Sequence, residues 1–298
     1  MKESTILIAD AGGSTISWAL VSHTSRRGDQ IISTPGMNIL MASAEGLDTL
    51  LTPVVNWATE ICVREDLQID DLYFYGAGCS TSESSGLAAS RLLSFFPNSR
   101  IHVESDMLGA ARASLVNQRG IACILGTGSN SCLYDGNKIE QKVPSLGFIL
   151  GDDGSGAALG RRLLRAVIQR RIPEYICDRF FKENNLSVES IINSIYRRPL
   201  PNRYMASFAP WILKNLYEEP VRTIVMEEFR DFMRFNILAY KDATSLPVAI
   251  CGSIAENFAP MLMDVAAESD VRIISITANP IEGIIRFHKH TTISNTKI

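Results

Sequence analysis

Apolar positions along the chain follow two different periods. Thr5-Ile-Leu-Ile-Ala9 is a short, β-branched apolar run that predicts a buried strand. Asp10-Ala-Gly-Gly-Ser-Thr15 follows as a turn, Ile16 to Val21 as a second strand and Gln30 to Thr34 as a third. Pro35-Gly36-Met37-Asn38 then breaks the pattern as a loop. From 45 to 63 the spacing becomes helical, with Leu47, Leu50, Leu51, Val54, Val55, Ala58, Ile61 and Cys62 on one face. Leu72-Tyr-Phe-Tyr75 predicts a strand, 84–95 a helix and Arg100 to Val103 another strand. Ser105 is placed to cap a helix from Asp106 to about Val116.

After Gly120 the opening pattern returns. Ile121-Ala-Cys-Ile-Leu125 predicts a strand, Gly126-Thr-Gly-Ser-Asn130 a small-residue turn, and Ser131 to Tyr134 a second strand that ends on an Asp135-Gly136 hairpin signal. One supersecondary device is thus used twice, once per domain, in a chain whose 298 residues suggest two domains. The stretch 154–240 is mostly helical and is cut by Pro173, Pro199, Pro201, Pro210 and Pro220. Pro247 to Ile250 predicts a strand ending at Cys251-Gly252-Ser253, with a helix over 255–268, a strand from Val271 to Ile276 and a last helix from Pro280 to His288. Thr291 to Ile298 is polar and reads as a frayed tail. Strands alternating with helices give an α/β fold.

Composition narrows the function classes. Hydrophobic residues make up 46% and charged residues 20%, enough for a large core and too apolar for disorder. Lys and Arg number 29 against 32 Asp and Glu, so there is no basic field to favour nucleic acid. No apolar stretch reaches membrane-spanning length, and Glu3 and Asp10 interrupt what would be the core of a secretory leader. The six cysteines form no CxxC pair, which fits reduced, mostly buried thiols in a cytoplasmic protein.

Candidate chemistry sits in four places. The Asp10–Thr15 and Gly126–Ser129 turns lack bulky side chains, so backbone N–H groups can approach an anion closely and hydroxyls add donors. Either turn alone reads equally well as a tight hairpin; together they could hold a polyphosphate, with Asp10 holding Mg²⁺ through water. Asp106 is either a helix-start carboxylate or a general base for a hydroxyl nucleophile. Asp152 and Asp153, between glycines ahead of a helix, are either a capped turn or a carboxylate pair with separate duties. Cys251-Gly252-Ser253 is either a packing turn or a support for the adenosine half of a nucleotide. The chain has no Walker A sequence, no GxGxxG after a strand and no GxSxG elbow.

The order Asp10-Ala-Gly-Gly-Ser-Thr, Ser105-Asp106, Gly126-Thr-Gly-Ser, Gly151-Asp-Asp-Gly-Ser-Gly and Cys251-Gly-Ser resembles the sugar kinase/Hsp70/actin superfamily. The likeness is strongest to N-acetylglucosamine kinases of the BadF-type ATPase family, through Tyr73-Phe-Tyr-Gly-Ala-Gly-Cys79, Asp106-Met-Leu-Gly-Ala-Ala-Arg112, Ile124-Leu-Gly-Thr-Gly-Ser-Asn-Ser-Cys132 and Pro201-Asn-Arg203. The resemblance implies two RNase H-like, actin-like ATPase lobes with a nucleotide cleft between them. Residues 1–117 would form the first lobe, with a C-terminal helix 279–290 packing back on it, and 118–278 the second, carrying a helical insertion. It implies ATP and Mg²⁺ as cofactors and phosphorylation of the 6-hydroxyl of N-acetylglucosamine or N-acetylmuramic acid. Asp10, Gly12, Gly13, Ser14 and Thr15, with Gly126, Thr127, Gly128 and Ser129, would grip phosphates, and Gly252 and Ser253 the adenosine. Asp106 would be the base; Asn38, Asp106, Gly128 and Asp152 would contact sugar; Asp10 and Asp153 would serve the metal, through water.

The chain departs from related members in places. It has Thr15-Ile16-Ser17 where they carry a Lys/Thr/Asp-type run, Asp153 where Glu is common, and Leu146 where some have Trp. Rival readings are a non-catalytic nucleotide- or sugar-sensing protein and an ATPase activator of a radical dehydratase. The expected partner is a small amino sugar, with neither nucleic acid nor membrane involved, and a homodimer is compatible with the family.

Overall fold

The computed structural model describes residues 5–22 and 28–295, without side chains beyond His290. The chain forms two units: residues 1–117 together with 280–298, and residues 118–279. Each contains one five-stranded sheet.

The first unit begins with β1 (Thr5–Ala11), β2 (Thr15–Val21) and β3 (Gln30–Pro35), followed by α1 (Ala44–Glu65), β4 (Ile69–Gly76), α2 (Ser82–Leu93), β5 (Arg100–Ser105) and α3 (Asp106–Leu115). The strand order is β3-β2-β1-β4-β5. β1 pairs antiparallel with β2 and parallel with β4, and β4 pairs parallel with β5. β1 reads as an unbroken apolar run because both its faces are buried. Leu7, Ala9 and Ala11 join the cluster with Leu50, Leu51 and Val54 of α1, while Ile6 and Ile8 point into a second cluster.

The second unit repeats the device. Its elements are β6 (Gly120–Leu125), β7 (Ser129–Tyr134), β8 (Ile139–Lys142), α4 (Gly147–Leu150), α5 (Gly156–Ile168), α6 (Glu174–Asn184), α7 (Val188–Tyr196), α8 (Pro201–Ala206), α9 (Ala209–Lys214), α10 (Glu219–Phe232), β9 (Val248–Cys251), α11 (Ser253–Asn257), α12 (Ala259–Glu268) and β10 (Ile273–Thr277). The order β10-β9-β6-β7-β8 mirrors the first sheet, with the Gly-rich hairpin again leading off the central strand. Its core joins sheet residues such as Leu125 and Ile250 to Phe180, Trp211 and Phe229 of the helices.

The last helix, α13 (Ile281–Asn295), belongs to the first unit. Ile281, Ile284 and Ile285 lie in one buried cluster with Ile6, Ile8, Val21 and Ala113. At about 1.5–3 kcal/mol per fully buried aliphatic side chain, these three residues are enough to hold a helix that would be marginal alone.

Several boundaries differ from the sequence reading. Asp10 and Ala11 complete β1, Thr15 opens β2, and Ser129 opens β7, so the turns are tighter than the motifs suggest. The single helix expected over 255–268 is two helices: Phe258 ends α11, and Pro260, lacking an N–H, stands in the first turn of α12. β8 was not anticipated; it is a polar edge strand behind the Asp135-Gly136 hairpin. α13 continues through Asn295, into the segment read as frayed; Glu3 and residues 296–298 lie outside the described residues. All six cysteines are buried, and none is in a disulfide. Among the described residues no helix is long and apolar enough to cross a membrane.

Candidate active site

In the first unit, Asp10 lies opposite Tyr75 of β4, Ala11 ends β1 opposite Gly76, and Gly76 in turn pairs with Ser105 of β5. Asp10 and Asp106 therefore sit at the carboxyl ends of parallel strands, where open α/β sheets present their ligand sites. Ser105 caps α3 by accepting from the Leu108 N–H at 3.3 Å, and Asp106 follows as the first helical residue. Its Oδ1 accepts from the Met107 N–H at 2.8 Å, which fixes the carboxylate at the helix start. Burial first, then the charge of Asp106, pushes the Asp10 carboxyl up to about 7. Burial, and then the nearby Asp106 carboxylate, raise the Cys79 thiol to about 11.

The hairpin joining β1 to β2 leaves Gly13, Ser14 and Thr15 exposed. Gly12 N–H donates to Thr15 O at 3.1 Å, and Gly36 N–H donates to Ser14 O at 2.8 Å. A Cβ on Gly36 would lie 2.4 Å from the Ser14 carbonyl carbon, so only glycine lets the chain leaving β3 pass this closely. That contact sets the loop carrying Asn38 beside the turn. Asn38 is exposed, and its Oδ1 accepts from the Leu40 N–H at 3.0 Å, leaving the amide NH₂ as the group it can offer outward.

In the second unit the Gly126-Thr127-Gly128 loop is closed by Gly126 N–H donating to Gly128 O at 2.9 Å. Gly156 and Ala157, at the start of α5, donate to Gly126 O and Thr127 O at 2.8 and 3.1 Å. Gly252 has φ +123°, and a Cβ there would lie 2.2 Å from Leu125 O. The β9–α11 turn is thus packed directly on the strand end that opens the loop, with Ser253 exposed beside it. Asp152, in the left-handed region at φ 59°, accepts from the Ser129 N–H, and a Cβ on Gly128 would stand 2.9 Å from its Oδ2. Burial raises the Asp152 carboxyl, with Asp153 adding to it, while Ser129 N–H and Arg161 act the other way. Ser129 Oγ is buried and has no hydrogen-bond partner among the described residues.

The structure thus brings together Asp10 and Asp106 in one unit, and Gly126–Ser129, Asp152 and Gly252 in the other. At Gly13 and Gly126 an added Cβ would meet nothing within 4 Å, and neither residue has a positive φ. The fold itself does not require glycine at either point, and bare backbone facing open space suits a close-bound anion. Sequence reasoning missed Gly36, Arg161, Arg162 and Glu228. Arg161 Nη1 donates to Phe148 O at 2.6 Å, and Glu228 Oε1 accepts from Gly154 N–H at 3.4 Å, so both flank the Asp152–Gly154 turn. The available signal for Glu228 was a carboxylate inside the apolar stripe Val221, Ile224, Val225, Phe229 and Phe232 of α10.

No protein-family model matches the chain. A solved structure from Porphyromonas gingivalis, of a candidate N-acetylglucosamine kinase, is 38% identical, covers 96% of this chain and 99% of its own, and superposes with a TM-score of 0.88. The chain belongs to the N-acetylglucosamine kinase-like family. Glucosamine kinase GspK of Vibrio cholerae is 25% identical over 249 residues, which is 81% of this chain and 83% of the relative. The filament protein MreB 5 of Spiroplasma citri, solved with AMPPNP, is 11% identical, with a TM-score of 0.55 over 99% of this chain and 98% of its own. That likeness is one of fold: this N-acetylglucosamine kinase-like chain shares the actin-like architecture.

Proposed function

We propose that the chain is a kinase that transfers the γ-phosphoryl group of ATP to a hydroxyl of an amino sugar, glucosamine or N-acetylglucosamine, at the 6-position. N-acetylmuramic acid is the alternative acceptor. The observation that carries this reading is the Asp10–Asp106 pair: two carboxylates at the ends of parallel strands on either side of β4, one fixed at a helix start, the other pushed up to about 7 by burial and by its neighbour. Such a pair supplies distinct roles from like side chains.

In this reading Asp106 orients the sugar hydroxyl and accepts its proton as the oxygen–phosphorus bond forms and the bond to the leaving ADP oxygen breaks. The Gly12–Thr15 and Gly126–Ser129 turns give backbone and hydroxyl donors to the phosphates, with Ser129 Oγ as a donor that has no other partner. Gly252 and Ser253 support the adenosine. The amide of Asn38, the Asp152 carboxylate and the Gly128 backbone position the sugar. Asp10 fits a divalent cation because burial and a like charge both disfavour its ionised form, and a hard cation relieves both. Asp10 would hold Mg²⁺ through water, Asp153 being the other candidate, and the ion would neutralise charge developing on the phosphates.

ATP consumption, measured against glucosamine, N-acetylglucosamine, N-acetylmuramic acid, glucose and no sugar, tests the reading. Turnover dependent on an amino sugar is expected. ATP binding without sugar-dependent turnover would favour the sensing protein instead.

A further inference from the structure

Four arginines of the second unit take no part in this chemistry yet converge on one place. Arg161, Arg162 and Arg165 of α5 and Arg171 just beyond it line a cavity of about 640 Å³, floored by Ile172 and Ile224. Their charges are not equally matched. Arg162 is fully engaged: Nε donates to Glu228 at 2.6 Å, Nη1 to Glu227 at 2.8 Å and Nη2 to Asp231 at 2.6 Å. Arg161 donates only to the neutral carbonyls of Phe148 and Ile149. Arg165 and Arg171 are exposed, and their side chains have no hydrogen-bond or ion-pair partner among the described residues. A solvated cation in the last turn of a helix accounts for Arg165 alone. It does not account for Arg165 and Arg171 together, two guanidinium groups without a carboxylate partner that line one concave cavity beside Arg161, the Glu227 and Glu228 carboxylates of its wall being bound by Arg162.

We propose that this cavity binds a phosphorylated small molecule, its phosphate held by Arg161, Arg165 and Arg171. Guanidinium groups match phosphate oxygens in geometry and keep their charge at any physiological pH. The apolar floor and the Thr223 hydroxyl suit an ester that carries a ring, so a sugar phosphate should bind more tightly than free phosphate. The cavity is also wired to the acidic turn. Arg161 holds the carbonyls before Asp152, and Arg162 holds Glu228, which accepts from Gly154 N–H after it. A phosphate on Arg161 therefore acts directly on the flank before Asp152, and Arg162, on the same cavity wall, ties the other flank to it. This coupling to sugar affinity rests on the kinase reading; the binding itself does not.

Calorimetric titration at low ionic strength tests the site, with glucosamine 6-phosphate and inorganic phosphate as separate probes. Parent, Arg165→Ala/Arg171→Ala and Asp152→Asn are compared. A binding component that weakens about tenfold or more in the arginine variant, two charge-assisted hydrogen bonds being lost, and persists in Asp152→Asn is expected. Tighter binding of the ester than of phosphate assigns the pocket to sugar phosphates; equal binding assigns it to free phosphate. No binding of either probe, or equal affinity in parent and arginine variant, overturns the site. Loss confined to Asp152→Asn places the binding in the sugar site and overturns it as well. If the arginine variant melts below the parent, the single exchanges Arg165→Gln and Arg171→Gln carry the same comparison. A chain that fails to phosphorylate sugars but keeps the arginine-dependent component loses the kinase reading and keeps the pocket.

Discussion

Replacing Asp106 with Asn separates chemistry from architecture because the structure assigns the two jobs to different residues. The helix cap is Ser105, whose Oγ accepts from Leu108 N–H. Asp106 accepts from Met107 N–H, a bond that an Asn oxygen can still accept. The stability change is then the difference of two small electrostatic effects. Losing a negative charge at a helix start costs about 0.3–1 kcal/mol. Removing the charge that helps push Asp10 up to about 7 returns something of the same order. A net change within about 1 kcal/mol follows, or a few degrees in melting temperature for a domain of this size.

The effect on rate is of another order. A lost general base costs about 10²–10⁴-fold, or roughly 2.7–5.5 kcal/mol in the barrier. It should fall on kcat, with sugar KM changing less, because the proton moves only on the way to the transition state. Steady-state kinetics and a melting curve on this one variant decide the matter. Near-parental kcat would remove Asp106 from the mechanism, and a collapse in melting temperature would show that it supports the fold instead.

Asn38→Ala should raise sugar KM well above any change in ATP KM, and Asn38→Asp should do the same, because it keeps the acceptor for Leu40 N–H but loses the outward NH₂; recovery in Asn38→Asp would reduce Asn38 to a turn residue. Gly252→Ala should destabilise the second unit by about 2–3 kcal/mol, since its Cβ would collide with Leu125 O at a positive φ, and an unshifted denaturation midpoint would contradict the packing. His288 is buried, its Nε2 2.9 Å from Tyr75 OH, and burial followed by the Arg112 and His102 charges lowers it to about 3 from 6.5, with Asp71 opposing. The unfolded chain binds this proton first, so stability should fall as pH drops from 6.5 towards 3, by at most about 5 kcal/mol. Denaturant titrations at several pH values should show a flatter slope for His288→Gln; an unchanged slope would assign the acid lability elsewhere.

What could be read from the sequence depended on whether a residue's partners lie nearby along the chain. β1 was legible because both its faces are buried and the run is uninterrupted, and α1 because one face carries its apolar positions. β8 was not, because Ile139-Glu-Gln-Lys142 is a polar edge strand whose only signal is the hairpin before it. The α11–α12 break was hidden because apolar spacing continues across Phe258 and Pro260 and masks the change of axis. The far end of α13 was missed for the opposite reason: helix hydrogen bonding can propagate past the last apolar position, so composition marks where packing stops, not where the helix does.

The same distinction governs the candidate site. Its motifs were legible because close approach to an anion leaves a local trace, small residues clustered at a strand end. Gly13 and Gly126 are the clearest instances, since nothing in either unit's own packing calls for glycine there. The groups behind the acidic turn leave no such trace. Arg162 and Glu228 are 66 residues apart and meet only when α5 and α10 pack. Yet Glu228 occupies a core position of α10, where an unmatched carboxylate would cost several kcal/mol. A carboxylate in an apolar stripe therefore implies a buried cation or donor that the sequence cannot name. Here the structure supplies two, the Arg162 guanidinium and the Gly154 N–H, and the second belongs to the turn that carries Asp152. The burial that made Glu228 look out of place is what lets it hold that turn.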